Sequence, residues 1–205
     1  MTKPVLLFDL YGVLLQLQTP AQLRRIEQTL GVGDELWPVY WQHRAAFDAG
    51  ELTPADYWAT VARDLGVDPH SYDVDAVIAA DLDSWLDADE TMVAYVSNLV
   101  NDGYKVGLLS NIPQFLADKV AETHEFLQTF HAVLFSCDLG LAKPDLKIYQ
   151  VAAAALGEKP EAITFFDDTI DNVAAARKAG MNAVRFTGIA CVQRIVDAAA
   201  ESSND

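Results

Sequence analysis

The stretch Val5-Leu6-Leu7-Phe8-Asp9-Leu10-Tyr11-Gly12-Val13-Leu14 decides the fold. It opens with uninterrupted apolar side chains, the pattern of a strand buried on both faces, and the run stops at a carboxylate that Tyr11-Gly12 follows closely. Asp9 therefore falls at the C-terminal end of a parallel strand, the edge where open α/β sheets place their ligands. An Asp there can also do no more than cap the next segment, because Asp after a strand is common in turns. The rest of the chain decides between the two.

Beyond Leu15 the apolar spacing becomes helical. Thr19-Pro20 reads as an N-cap with Pro at the first helical position, and Leu23, Ile26 and Leu30 follow as far as Gly31. A second helix carries Trp37, Tyr40, Trp41, Arg44 and Phe47 and stops near Asp48-Ala49-Gly50. Thr53-Pro54 starts a third, through Tyr57, Trp58, Val61 and Leu65, and 73–86 reads as a fourth. All 4 tryptophans lie in this part. From Thr91 strands and helices alternate, with strands expected at 104–109, 132–135, 162–166 and 183–186 and a polar, frayed tail at 201–205. The expected architecture is α/β: a doubly wound, Rossmann-like parallel sheet built from 1–15 and 88–205, with an all-helical unit, 16–87, inserted after the first strand.

A chain of 205 residues that is 51% hydrophobic has ample material for a core. With 14 basic against 30 acidic residues the net charge is −16, which argues against nucleic acid or an anionic membrane surface as partner. A small anionic substrate remains compatible, since one local lysine or metal ion outweighs a diffuse field at contact distance. The 2 cysteines, Cys137 and Cys191, form no C-x-x-C pair and are expected to be buried thiols in a reducing, cytoplasmic compartment. No apolar run approaches the ~18 residues of a membrane span, and the N-terminus leads into a strand without a signal-peptide pattern.

Strand ends and the loops after them carry Asp9, Ser110, Lys143 and Asp167-Asp168. A parallel sheet gathers all of these on one edge. Crowded carboxylates repel one another unless a cation joins them, and hard oxygen ligands of this kind suit Mg²⁺. Lys143 can hold Asp9 ionised and neutralise an incoming phosphoryl group. Ser110 and the backbone N–H of Asn111, expected at a helix start, can donate to anionic oxygens.

These motifs, in this order and on these elements, resemble the haloacid dehalogenase superfamily of hydrolases: Asp9-Leu10-Tyr11-Gly12-Val13, Ser110-Asn111, Lys143-Pro144-Asp145, and Asp167-Asp168 with Asn172 and Ala179-Gly180 beyond. The helical insertion stands where that superfamily has its cap domain. The resemblance implies that Asp9 is the nucleophile, that Lys143 steadies nucleophile and substrate, and that Ser110 binds a phosphoryl oxygen. It also implies Mg²⁺ held by Asp9, the backbone carbonyl of Tyr11 and the acids of the fourth motif. Counted back from Gly180, Asp168 aligns with the direct ligand and Asp167 with its neighbour, while Asp171 reads as helix N-terminal charge.

One departure stands out. Phosphatases of the superfamily usually carry a second Asp, as general acid and base, where this chain has Tyr11. Asp-x-Tyr-Gly is what L-2-haloacid dehalogenases carry, yet those replace the acidic pair that this chain keeps. Val13 also replaces the Thr common to both groups. Branches of phosphatases with Asp-x-x-Gly-Val and a Phe-Phe-Asp-Asp fourth motif are similar to this chain.

The expected function is a Mg²⁺-dependent phosphatase of a small phosphorylated metabolite, a sugar phosphate being one candidate, acting through an aspartyl-phosphate at Asp9. The alternatives are a haloacid dehalogenase using the same Asp9 and a catalytically silent metabolite-binding protein. In the helical unit Arg44 is the candidate substrate contact, whereas Trp41 and Trp58 at helical spacing read as core. His43, His70, His124 and His131 show no metal-ligand spacing. No protein partner is legible.

Overall fold

The structure is a computed structural model that describes residues 3–201; of the tail expected at 201–205 only Glu201 lies within the described residues. β1 (Val5–Phe8) is the middle strand of a five-stranded parallel sheet, flanked on one side by β2 (Val106–Ser110) and β3 (Ala132–Phe135) and on the other by β4 (Ile163–Asp167) and β5 (Asn182–Arg185). Because strand side chains alternate in direction, β1 serves two cores at once. Leu6 and Phe8 pack with Met92, Val96, Leu116 and Val192, while Leu7 packs with Ile148, Tyr149, Val173 and Ala176. Helices therefore cover both faces, which is why the strand tolerates no polar residue before Asp9.

Register positions the chemistry. Phe8 lies opposite Leu108 of β2 and Phe166 of β4, and the Asp9 N–H donates to the Phe166 carbonyl at 2.9 Å. The next residues on the three central strands, Asp9, Leu109-Ser110 and Asp167, accordingly emerge at one edge.

Between β1 and β2 lie α1 (Pro20–Leu30), α2 (Leu36–Asp48), α3 (Pro54–Asp64) and α4 (Val74–Asp83), followed by α5 (Glu90–Asn101) against the sheet. The first four form a unit with its own core, in which Tyr40, Phe47, Tyr57 and Trp58 are fully buried. Its helices start where the sequence places them: Thr19 makes a capping box with Gln22, and Thr53 accepts from the Asp56 N–H. The chain leaves and re-enters the α/β layer side by side, with Gln16 N–H donating to Asp87 O at 2.8 Å and Asp89 N–H to Leu14 O at 2.9 Å. On the far side, Ser136 Oγ donates to the Asp48 carbonyl at 2.5 Å and accepts the Ile112 N–H at 2.8 Å, while Phe47 stacks on Phe115 at 5.5 Å. These contacts seat the C-terminal end of α2 over the sheet edge.

Apart from shifts of one or two residues at strand ends, three expectations change. The fourth helix ends at Asp83 instead of 86, because Ser84 and Trp85 turn back on Asp81 and Leu82 and carry the Trp85 indole inward. α6 (Gln114–Thr123) begins beyond Pro113, so the Asn111 N–H precedes the helix and does not belong to its first turn. Cys137 is only partly buried, since it sits on the one-turn helix α7 (Ser136–Leu139) at the edge of the core, whereas Cys191 is buried. Beyond these, α8 (Leu146–Leu156) and α9 (Ile170–Lys178) cover the second face, and an Ala-rich segment not assigned from sequence forms α10 (Ile189–Glu201). Among the described residues no helix is long and apolar enough to cross a membrane.

Candidate active site

Asp9 ends β1 almost fully buried. Its Oδ1 accepts the Leu10 N–H at 2.7 Å and faces Lys143 Nζ at 2.6 Å. Lys143 reaches this point from the loop before α8, and its ammonium also meets Asp167 Oδ2 at 2.8 Å. Asn111 fixes that loop: its Oδ1 accepts the Lys143 N–H and its Nδ2 donates to the Lys143 carbonyl, both at 2.8 Å. The β2 edge thus holds the lysine by its backbone, leaving the ammonium aimed between the ends of β1 and β4.

Asp167, at the end of β4, has every acceptor direction engaged. Besides Lys143 it takes the Thr169 N–H at 2.8 Å and Asn172 Nδ2 at 3.1 Å on each oxygen. Asp168 differs. It is half-buried, accepts from Thr169 Oγ1 at 3.1 Å, and has no cationic partner among the described residues. Its Oδ2 lies against the loop after β1, where a Cβ built on Gly12 would come within 2.6 Å of it, and Gly12 itself has a left-handed φ of 73°. Only glycine lets the loop after β1 approach this carboxylate.

Carboxylate atoms of Asp9, Asp167 and Asp168 all lie within 4.8 Å of one another, and among the described residues Lys143 is the one cation paired with them. The Asp9 carboxyl is raised to about 7: burial pushes it up, Lys143 pulls it part of the way back, and the Asp167 charge pushes it up again. Asp168 is raised by burial and by Asp167. Burial alone would lower Lys143, but the two carboxylates outweigh it and raise it. An all-oxygen donor set with surplus negative charge fits a hard divalent cation.

A cavity of about 340 Å³ opens above this floor. Its walls come from Tyr11 and Leu17 after β1, from Trp41, Arg44 and Asp48 on α2, and from Trp85. The Arg44 guanidinium is buried, pairs with Asp48 Oδ1 at 2.7 Å, and donates to the Tyr40 hydroxyl. The Tyr11 ring meets Trp85 edge-on at 4.7 Å, and its buried hydroxyl has no hydrogen-bond partner among the described residues.

The family model for haloacid dehalogenase-like hydrolases matches residues 4–180, taking in the helical unit and the strand ends that carry Asp9, Lys143 and Asp167-Asp168. The chain belongs to this family. As a haloacid dehalogenase-like hydrolase it is 27% identical over 192 residues to (S)-2-haloacid dehalogenase 4A of Burkholderia cepacia, covering 87% of this chain and 80% of that protein. It is 24% identical to a sesquiterpene phosphatase of Aspergillus oryzae, covering 88% of each. In fold it is similar to a HAD family enzyme of Bacteroides thetaiotaomicron, solved with magnesium and inorganic phosphate, with a TM-score of 0.74 and 21% identity over 90% of this chain and 94% of the other.

Within this hydrolase the residues expected from sequence separate into groups. Asp9, Lys143, Asp167 and Asp168 converge as described, and Tyr11 lines the cavity beside them. Asn111 also borders the cavity, but both ends of its amide are taken by the Lys143 backbone, so its first task is to hold that loop. Ser110 is fully buried, with its hydroxyl 3.4 Å from the Asn111 carbonyl. Arg44 faces the cavity, Trp41 stands at its rim, and Trp58 is in the core of the helical unit. Asp171 is exposed and borders a different depression. Sequence reasoning names Asn172 within the fourth motif without giving it a task, and finds no role for Asp48 or Trp85. The task of Asn172 has a signal: it stands in the first turn of the helix after β4, from which its side chain reaches back to Asp167 at the end of that strand.

Proposed function

We propose that this hydrolase is a Mg²⁺-dependent phosphatase of a small phosphorylated metabolite, with 16–87 as its cap and 1–15 plus 88–205 as its catalytic unit. The observation that carries it is Asp168: a half-buried carboxylate without a cation among the described residues, pressed against the nucleophile loop beside two further acids. Asp9, Asp168 and the backbone carbonyl of Tyr11 would hold the ion, with Asp167 behind them orienting Lys143. Bound Mg²⁺ supplies positive charge to the phosphoryl oxygens.

The chain's own groups do the rest. Lys143 and the Leu10 N–H occupy Asp9 Oδ1, which leaves Oδ2 to act as the attacking oxygen. The Asp9–phosphorus bond forms as the bond to the leaving oxygen breaks, and water then cleaves the aspartyl-phosphate, releasing phosphate and restoring the carboxylate. Tyr11 is a poor proton donor to the leaving oxygen, because its hydroxyl is buried beside Trp85 and burial raises it above the usual tyrosine range. Esters whose leaving groups need no proton are therefore the better substrates.

Tyr11 also favours the second reading, a haloacid dehalogenase, since a halide departs without a proton. Against it, Asp168 would face the carboxylate of a haloacid. The deciding experiment measures phosphate release from aryl, acyl and alkyl phosphates and halide release from 2-chloropropionate, each with Mg²⁺ and with chelator. Phosphate release that needs Mg²⁺ and favours aryl and acyl esters is expected. Tyr11→Asp should then raise alkyl ester hydrolysis by roughly 10²-fold or more, toward the range a positioned general acid supplies. Halide release that survives chelation would replace the phosphatase reading.

A second measurement tests the metal ligands. Asp168→Ala should weaken Mg²⁺ activation by more than the roughly 100-fold typical of outer-shell partners. Asp171→Ala, on the exposed turn, should change it by no more than about twofold. Equal losses would place the metal elsewhere.

A further inference from the structure

Two of the exposed large apolar side chains of the described residues, Leu17 at 56% and Trp41 at 52% exposure, stand at the rim of the same cavity. Single exposed apolar residues are ordinary, but these two border one opening. With Trp85 they also line a second depression, of about 220 Å³, that continues from the first toward Leu23 and Trp37. Leu17, Trp41 and Trp85 form the shared wall. Its Trp41 and Trp85 rings are nearly perpendicular, at 84° and 6.3 Å, so they present a face and an edge along one path.

Apart from the Tyr11 hydroxyl at its inner end, the polar side chains near this path are mostly turned to one another. Trp37 Nε1–H donates to Glu27 at 2.7 Å, and Trp85 Nε1–H to Asp81 at 3.1 Å. Gln18 donates to Ser84 Oγ at 2.6 Å. Arg44 is held by Asp48 and Tyr40, and the Tyr40 hydroxyl donates to Asp81 at 3.0 Å. A leaving group rich in hydroxyls would meet indole faces and an aliphatic side chain here, leaving its own donors without partners. A hydrocarbon or aryl body would cover the apolar surface that is now exposed.

We propose that the substrate is the phosphomonoester of an apolar phenol or a similarly stabilised apolar leaving group, whose hydrocarbon body runs from Asp9 across Leu17, Trp41 and Trp85 into the Leu23–Trp37 depression. This rests on the phosphatase reading and narrows its substrate class. It disfavours the sugar phosphate that the sequence suggests as one candidate.

The test uses 4-alkylphenyl phosphates from hydrogen to hexyl, whose leaving groups have nearly equal pKa values, so that chain length changes contact and not chemistry. The full chain with Mg²⁺ should gain about two- to fourfold in kcat/KM for each of the first methylenes, the scale of burying a CH₂. In Leu17→Ser and in Trp41→Ser the ratio of hexyl to unsubstituted ester should fall by about tenfold, read as a ratio within each variant. Both side chains are exposed, so neither change removes core packing. A ratio near one in the parent, or a parental ratio kept in both variants, overturns the proposal while leaving the phosphatase reading intact. Absence of phosphate release from every ester overturns the phosphatase reading, and the substrate class with it.

Discussion

Asp9→Asn lowers turnover by at least about 10⁴-fold, the scale of removing a covalent nucleophile, because the amide is isosteric with the carboxylate but a poor nucleophile. The fold survives. Lys143 keeps Asp167 as its partner at 2.8 Å, so no charge is left stranded by the change. Relative to the parent, the variant should even gain stability as pH rises. The folded-state pKa of Asp9 lies at about 7, above its ordinary value, so the carboxyl favours the native state while protonated and loses that contribution as pH rises through about 7. An amide at this position does not titrate and carries no such dependence. In chelator, the melting temperature of the variant relative to the parent should therefore increase between pH 5 and pH 8. Residual turnover above the stated level would take the nucleophile role from Asp9; a relative melting temperature that falls with pH would mean that Asp9 is stabilised as an anion even without metal.

The parts of this site that sequence reveals are those fixed by a strand. Val5–Phe8 is apolar on both faces because it faces two helical layers, and a fully apolar run followed by Asp is legible without knowing its neighbours. The ends of β2 and β4 follow the same logic, and parallel topology then puts all three on one edge. What sequence does not reveal is which neighbour takes each hydrogen bond. Asn111 looks like an anion donor in the chain, yet it closes a two-point contact with Lys143, a partner 32 residues away. Ser110 likewise ends a strand, opposite Phe135 of β3, and is fully buried there. Asp48 reads as the stop of a helix, and only the packing of α2 on α7 turns it over the cavity. Arg44 is legible as a charge on an aromatic stripe, and Asp48, one turn further on, is the partner that helical spacing offers it.

Lys143→Met is the harsher change, for both chemistry and folding. The Lys143 side chain is 1% exposed between Asp9 and Asp167, themselves 10% and 0% exposed at the side chain. Methionine fills a similar volume, so the packing loss is small. The electrostatic loss is not, because removing one member of a buried ion pair strands the other, at a cost of about 3–5 kcal/mol. Here two carboxylates are stranded. Asn172 and the Thr169 N–H still solvate Asp167, while Asp9 keeps the Leu10 N–H. Asp9 therefore bears most of the penalty and moves further up from a value already raised by burial. A carboxyl raised in the folded state contributes stability below its unfolded pKa and loses it as pH rises. The deficit of Lys143→Met should accordingly be smallest near pH 4 and grow through neutrality, which urea unfolding at a series of pH values in chelator measures. Added Mg²⁺ should recover part of the lost stability at neutral pH, because a cation returns to the same acids, yet turnover should stay at least about 10²-fold down since Asp9 Oδ1 lacks its fixed partner. A deficit that does not vary with pH would show that Lys143 serves this site by packing alone, and its charge would then have no part in holding the nucleophile ready.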